Sequence, residues 1–285
     1  MPHFSFWGFS EPFSSWTHLL AAAAAIVGSY VLLRKGRGSV SRSVALVIYS
    51  WSLVFLFSMS GVYHLLEPGG TARNVLQRLD HAGIWVLIAG TFTPLHAILF
   101  RGAWRWLILL LVWMIAINGL VLEVVFFTSF PQWLTLTLFL ALGWMGTLTG
   151  YKFRTSFRGE SLHLLMMGGI YYSLGAVIDF LNWPVLWPGV IGPHEIFHVF
   201  VIMGSWCHWK FIYQWASHPV ANTITFHVKI FPKNRFVAEA VSDHLRVEAN
   251  SLEDLKLKIK EQVHAKYHKS IQPSIHLKYF QEELF

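Results

Sequence analysis

Three histidines, an aspartate and a serine have the types and spacing of a metal site. His194 and His198 are four positions apart, so on a helix both imidazoles lie on one face and can bind one ion. Ser60 and His64 have the same spacing, and Asp80 follows after a short interval. Three imidazoles leave a fourth position of a zinc ion open for water, whose pKa the ion can lower to about 7. These residue types therefore predict a catalytic zinc centre.

Each of these residues also has a purely structural interpretation. A His-x-x-x-His spacing often reflects packing alone, Asp80 can pair with Arg78 or cap its helix, and Ser60 can bond back to a carbonyl of its own helix. The metal interpretation is favoured because the residues should converge. In a chain that crosses a membrane several times, the exit of an even-numbered span and the entrance of an odd-numbered span lie on the same side of the membrane. The other histidines are predicted to be hydrogen-bonded packing residues or interfacial residues: His18, His81, His96, His163 and His208. Glu123 and Asp179 are expected at the level of the site, either at the interface or lining the cavity.

The composition predicts a membrane protein. The chain has 285 residues, of which 54% are hydrophobic and 13% charged, against about 25% charged in an average soluble domain. This excludes intrinsic disorder and argues against an ordinary cytosolic enzyme, because such a surface needs lipid as its solvent. The single cysteine, Cys207, excludes an internal disulfide framework and a cysteine-cluster metal site. The net charge of +7 is not taken as a sign of nucleic-acid binding, since charge density rises sharply only after Ser217.

Seven apolar stretches are long enough to cross a bilayer, which takes about 20 helical residues. We therefore predict an all-α membrane protein, a seven-transmembrane helix bundle with a small C-terminal soluble α+β module. The first stretch is interpreted as a helix and not as a signal peptide, because no basic segment precedes it. The predicted spans are Trp16–Leu33, Val44–Leu66, His81–Phe100, Ala103–Glu123, Gln132–Gly150, Leu162–Leu181 and His194–Trp215.

The basic residues between the spans predict the orientation of the chain. The connections on the opposite side hold only Arg73 and Arg78. This bias predicts a multi-pass membrane protein with its N-terminus outside and its C-terminus inside. The basic residues of the odd-numbered connections and the last exit are Arg34, Lys35, Arg37, Arg42, Arg101, Arg105, Lys152, Arg154, Arg158 and Lys210.

The composition break divides the chain into two predicted domains, residues 1–217 and 218–285. In the second, Thr223–Phe231 alternates as a strand, Val237–Ala249 contains a further strand-like run, and Ser274–Phe280 is the predicted last strand. Ser251 and Asp254 open a helix in the manner of a capping box. The basic residues of this segment, Lys256, Lys258, Lys260, Lys266 and Lys269, are interpreted as a solvated helix face, with contact to anionic headgroups as the alternative.

At this level of detail the chain resembles a known family, the progestin and adipoQ receptor (PAQR) family, and specifically its bacterial hemolysin III-like branch. The resemblance covers about residues 10–215. It rests on five motifs in order: Glu11 with His18, Ser60-Gly-Val-Tyr-His64, Leu79-Asp80-His81-Ala-Gly-Ile, Gly90-Thr-Phe-Thr-Pro94 and His194-x-x-x-His198.

The resemblance implies a seven-helix protein that holds zinc with three histidines. Carried over residue by residue, the zinc ligands are His64, His194 and His198, the aspartate beside the water at the zinc is Asp80, and the motif serine is Ser60. Two features depart from the family. Residues 218–285 are not part of the usual bacterial pattern, and the adiponectin-receptor branch keeps its N-terminus and zinc site on the cytoplasmic side.

These observations predict a zinc-dependent membrane hydrolase that acts on an amide or ester bond of a membrane lipid. The resemblance implies ceramidase-like chemistry and a location in the bacterial inner membrane. Asp80 is the predicted base, and Ser60 or the zinc stabilises the oxyanion. The alternative from another class is a non-enzymatic, zinc-containing membrane receptor or regulator of membrane homeostasis, in which zinc joins two spans. A pore or toxin and a haem-binding bundle rank lower. The expected partners are a membrane lipid and the bilayer, without nucleic acid; the oligomeric state stays open.

Overall fold

The computed structural model describes residues 9–157, 160–218, 223–232, 235–241, 245–266 and 273–281. Two of the basic residues named above, Arg158 and Lys269, lie outside these ranges. Eight helices come first in the chain and a small sheet with one further helix follows. The eight helices are α1 (Pro12–Lys35), α2 (Val40–Leu65), α3 (Thr71–Leu99), α4 (Ala103–Val125), α5 (Gln132–Trp144), α6 (Gly146–Ser156), α7 (His163–Leu181) and α8 (Pro193–Trp215).

Six helical segments of the described chain are long and apolar enough to cross a membrane: α1, α2, α3, α4, α5 taken together with α6, and α7. Helix α8 is not among them. It has the necessary length, but it carries three histidines together with Glu195 and Lys210. The structure therefore supports a multi-pass helical protein with six candidate spans, and the seventh span stays a prediction.

Two predicted spans differ from the helices observed. Helix α3 begins at Thr71, ten residues before the predicted start at His81. Its first turns are helical but polar, so a prediction based on apolar length does not include them. Arg73 and Arg78 consequently lie on this helix and not in a connection. The fifth predicted span is divided at Met145, where α5 ends and α6 begins. Gly143 and Gly146 flank this residue, and glycine weakens a helix interior.

Helix α3 is the central helix of the bundle. It packs against α2 and α4 and also contacts α5, α6 and α8. In the 18-residue window that defines it as a candidate span, 83% of the residues are buried. Its hydroxyl groups are satisfied within the helix: Thr91 donates to the carbonyl of Leu87 and Thr93 to that of Ala89, both at 2.8 Å. Such back-bonding removes the cost of an unpaired hydroxyl in an apolar environment.

A buried arginine links the α1–α2 loop to the residues that follow α8. Arg42, in the first turn of α2, is fully buried. Its Nε donates to the carbonyl of Gly36 after α1 at 2.7 Å, and its Nη1 donates to the carbonyl of His218 after α8 at 2.8 Å. A guanidinium has five N–H donors and no acceptor, so it suits a site formed by several carbonyls. Arg42 thereby fixes the start of the connection to the C-terminal sheet against the α1–α2 loop.

The C-terminal module has its own sheet and its own core. Four strands, β1 (Thr223–Phe231), β2 (Arg235–Ala240), β3 (Arg246–Ala249) and β4 (Ser274–Gln281), lie in the order β3-β2-β1-β4. Strands β1 and β2, and β2 and β3, are antiparallel, whereas β4 pairs with β1 in parallel, Phe226 opposite Leu277. The predicted run over Val237–Ala249 is thus two strands, not one.

One helix, α9 (Leu252–Lys266), covers one face of this sheet. The amide of Asp254 donates to Ser251 Oγ at 3.1 Å, as the predicted cap requires. Leu255, Ile259 and Val263 are buried at the helical spacing that the sequence shows. They pack with alternate residues of the strands, such as Phe226.

Candidate metal centre

Three imidazoles converge where the end of α2 meets the start of α8. His64 lies in the last turn of α2, and His194 and His198 lie in the first two turns of α8. One ring nitrogen of each histidine is within 4.8 Å of the other two. Nε2 of His194 is 3.3 Å from Nε2 of His64 and 3.1 Å from Nε2 of His198. Among the described residues this is the one group of three or more possible ligands that could hold an ion.

The spacing of these nitrogens fits a small tetrahedral ion. With metal–nitrogen distances of about 2.0–2.1 Å, two nitrogens of a tetrahedral zinc site lie about 3.3 Å apart. The two measured Nε2–Nε2 distances, 3.3 and 3.1 Å, are close to this value. At this distance the Nε2 atoms that face one another cannot all carry a hydrogen, because the hydrogens would collide. The donor set therefore suits a divalent cation that prefers nitrogen ligands.

Two of the three histidines present their outer nitrogen to a carboxylate. Nδ1 of His64 contacts the carboxylate of Glu11, which precedes α1. Nδ1 of His194 lies 3.0 Å from Oδ1 of Asp179, near the end of α7. The outer nitrogen of His198 is buried and has no well-aligned hydrogen-bond partner in the described chain. Carboxylates in these positions fix the tautomer in which Nε2 offers its lone pair to a metal.

Glu11 is held as an anion between two basic groups. Burial alone would raise its pKa, but the hydrogen bond and the attraction to His64, together with the attraction to Arg73, lower the pKa from its ordinary value of 4.5 to about 2. Nη2 of Arg73 donates to Oε1 of Glu11 at 2.8 Å. The group therefore stays ionised at neutral pH.

The three rings differ in their access to the surroundings. The side chains of His64 and His198 are almost fully buried, whereas 41% of the His194 side chain is exposed. The partner of His194, Asp179, is also exposed, at 39%. The centre is thus closed toward the bundle interior and open on the α7–α8 side, where another molecule can approach.

Comparison with known proteins identifies the family of the chain. The family described as "Haemolysin-III related" matches residues 6–209. The chain belongs to this family. It is 31% identical over 191 residues to "Hemolysin-3" of Bacillus cereus, covering 66% of this chain and 84% of that protein. It is 30% identical over 175 residues to the "Hemolysin-3 homolog" of Bacillus subtilis (strain 168), covering 61% and 78%.

A relative of lower identity carries the name of a receptor. The "Adiponectin receptor protein" of Drosophila melanogaster is 25% identical over 232 residues, which cover 74% of this chain and 52% of that protein. The resemblance to the PAQR family predicted from the five motifs is therefore confirmed. The family match ends at residue 209, so it does not include the C-terminal sheet.

The other two predicted site residues of this haemolysin-III-related protein lie near the cluster without touching it. Ser60 is buried one turn before His64 on α2. Asp80, on α3, acts electrostatically on His194 and on Tyr63. In the described chain neither side chain makes a direct hydrogen bond to the three imidazoles. Their predicted roles stay predictions.

The sequence gives two residues of the centre no place in it: Glu11 is only part of a motif, and Asp179 is only expected at the level of the site. Glu123, also expected at that level, makes no hydrogen bond to the three imidazoles in the described chain. It is buried on α4 and accepts hydrogen bonds from Nδ1 of His81 at 2.9 Å and Nε1 of Trp85 at 2.6 Å. His81 is therefore hydrogen-bonded, as expected. These contacts link residues far apart in the chain, so spacing alone carries no signal for them.

Proposed function

We propose that this protein is a zinc-dependent hydrolase of an amide or ester bond in a membrane lipid. The observation that carries the proposal is the group of three imidazoles in which Nε2 of the half-exposed His194 lies 3.3 Å from Nε2 of His64 and 3.1 Å from Nε2 of His198. Three protein ligands leave a coordination position open, as catalytic zinc sites require. The location at one end of an apolar helix bundle suits a substrate whose polar group lies at headgroup depth.

In this proposal His64, His194 and His198 hold the ion. When bound, zinc supplies Lewis acidity, which polarises a carbonyl group and makes a water molecule acidic near neutral pH. The carboxylate of Asp80, on α3, takes the proton of the attacking water and passes it to the amine or alcohol that leaves as the C–N or C–O bond breaks. The hydroxyl of Ser60 donates a hydrogen bond to the carbonyl oxygen as negative charge develops on it.

The proposal includes an arrangement in the membrane. Helix α8 is the seventh span, since it packs along α7 and α1 and brings His194 and His198 to the end of α2. The bias of the basic residues supports a metal centre and an N-terminus outside and a C-terminus inside. Residues 1–217 form the membrane domain and residues 218–285 a cytoplasmic module.

The test uses the full chain, purified in detergent and returned to lipid nanodiscs. Zinc content is measured together with release of free fatty acid from ceramides and from phospholipids. We expect about one zinc per chain in the unchanged protein and in Asp80→Asn, with hydrolysis reduced about 100- to 10,000-fold in Asp80→Asn. His198→Ala should lose the metal. Equal hydrolysis in all three proteins would overturn the proposal.

A second candidate is a non-enzymatic receptor or regulator, which the Arg42 contacts favour. Arg42 ties the α1–α2 loop to the residues that precede the C-terminal sheet, so movement of the bundle can reach the module. One relative is named an adiponectin receptor protein. In this case zinc is a clip between α2 and α8. Four protein ligands, and no exchangeable water, in X-ray absorption or cobalt-substitution spectra would favour the clip over the hydrolase.

A further inference from the structure

The residues before α1 form part of the surroundings of the metal centre. The amide of Glu11 donates to the carbonyl of His64 at 3.0 Å, and the amide of Ser10 donates to the carbonyl of Leu65 at 3.2 Å. The carboxylate of Glu11 contacts Nδ1 of that same His64. Glu11 therefore holds the backbone and the ring of one histidine together, from a position 53 residues earlier in the chain.

Arg73 fixes the second oxygen of this carboxylate. Its Nη2 donates to Oε1 of Glu11 at 2.8 Å, and its Nη1 donates to the carbonyl of Leu66 just after α2. The guanidinium carbon lies 4.7 Å from the ring centroid of Tyr63, the neighbour of His64. Arg73 is buried and Glu11 only 16% exposed. An ion pair with little access to water and several fixed partners keeps its geometry better than one on the surface.

We propose that Glu11, anchored by Arg73, is a positioning residue of the metal centre that directs Nε2 of His64 toward the ion. The inference rests on the metal site of the proposed function and adds the segment before α1 to it. An imidazole that donates its Nδ1 hydrogen to a carboxylate is locked in one tautomer and one ring orientation, and it is a better ligand. Without this partner, the ring of His64 is free to rotate about its side-chain bonds.

The pair at His194 offers an internal comparison. Asp179 contacts Nδ1 of His194 at 3.0 Å, but 39% of its side chain is exposed. Water competes for an exposed carboxylate, so this contact orients its ring less firmly. We therefore expect the Glu11 contact to contribute more to metal binding than the Asp179 contact does.

The experiment measures metal affinity, which is independent of any enzymatic activity. The full chain is stripped of metal in detergent and titrated with zinc and with cobalt against a competing chelator. Glu11→Gln keeps an oxygen acceptor and loses the charge, and we expect about tenfold weaker binding. Glu11→Leu loses both, and we expect about 100-fold weaker binding with altered visible absorption of the cobalt form. Asp179→Asn should have a smaller effect than Glu11→Gln.

Two further variants separate positioning from general stability. Arg73→Met leaves Glu11 without its anchor and should weaken binding, even if Glu11→Leu fails to fold. Glu123→Gln changes a buried glutamate whose hydrogen bonds, within the part of the chain that the structure describes, are to His81 and Trp85 and not to the three ligands. It should lower the unfolding temperature and leave metal affinity unchanged. Unchanged affinity and cobalt spectrum in Glu11→Gln and Arg73→Met would overturn the inference. A loss of metal affinity in Glu123→Gln equal to that in the Glu11 and Arg73 variants would also overturn the inference.

The same titrations distinguish this inference from the proposed function. If the unchanged protein binds no zinc or cobalt, both fail. If it binds metal and the Glu11 variants bind it equally well, only the positioning role fails. If the variants weaken binding in the expected order and no lipid is hydrolysed, the positioning role stands and the hydrolase proposal fails.

Discussion

The rings of His18 and His198 stack face to face, with centroids 3.7 Å apart and an angle of 16° between their planes. His18 lies on α1 and is buried, and the edge of its ring meets Phe57 with the centroids 5.2 Å apart. Both its ring nitrogens are buried without a well-aligned hydrogen-bond partner among the described residues. His18 thus supports a proposed ligand by ring contact. It is a packing residue, but it packs through its ring and not through the hydrogen bonds that were expected.

His18→Phe should preserve this support. Phenylalanine keeps a flat ring against His198 and removes two buried polar atoms, so stability should be unchanged or slightly higher and zinc affinity unchanged. His18→Ala leaves a cavity beside His198 and should lower the free energy of unfolding by about 2–4 kcal/mol. Chemical unfolding and zinc titration measure the two effects. Equal loss of zinc affinity in both variants would show that the His18 nitrogens themselves matter.

Gly61 permits the close approach of α1 to α2 beside the metal centre. A Cβ at this position would lie 2.8 Å from the side chain of Leu19 and 3.0 Å from its backbone nitrogen. Gly61→Ala should therefore push the helices apart and cost about 1–3 kcal/mol of unfolding free energy. Gly143→Ala is the matched control, because nothing lies within 4 Å of its Cβ position. If Gly61→Ala leaves the free energy of unfolding unchanged, the helices can separate at little cost and the prediction is wrong.

Arg42 should be one of the most sensitive basic residues to replace. Arg42→Met leaves the carbonyls of Gly36 and His218 without their donor in a buried region, which costs about 1–3 kcal/mol per unsatisfied group. Arg34→Met is the control, since Arg34 is exposed and, among the described residues, its hydrogen bond is to the hydroxyl of Tyr30 one turn earlier on the same helix. Unfolding temperatures of the two purified variants give the comparison. A similar small decrease in both would contradict the structural role of Arg42.

Removal of the metal should destabilise the helix bundle, because the proposed ion joins α2 to α8. At a free zinc concentration about 100 times the dissociation constant, binding adds about 2.7 kcal/mol to the stability. A chelator should therefore lower the unfolding temperature of the unchanged protein and leave that of His198→Ala as it is. His208→Ala, altered on the same helix away from the cluster, should respond to the chelator as the unchanged protein does.

The proposed orientation predicts the behaviour of fusion proteins in bacteria. Alkaline phosphatase fused after Phe285 should be inactive and green fluorescent protein at the same place fluorescent, because the C-terminus is expected inside. Fusions after Val190, in the α7–α8 connection, should show the opposite pattern. The reversed result at both positions would place the metal centre on the cytoplasmic side.

Much of this architecture follows from local patterns. Apolar length placed the helices α1, α2, α4 and α7 within a few residues of their observed bounds, because a bilayer-spanning helix needs one continuous apolar run. Strict alternation identified β1 over Thr223–Phe231, since successive side chains of a strand point to opposite faces. The break at Met145 and the early start of α3 have no such periodic signature.

The spacing of His194 and His198 is enough to put them on one face of a helix, because four residues make about one helical turn. That His64 joins them, and that Glu11, Arg73 and Asp179 surround the three rings, depends on how the helices pack. Those contacts join residues separated by up to 130 positions. Helix packing brings such residues together through crossing angles and side-chain volumes summed over the whole bundle, and no local spacing encodes that sum.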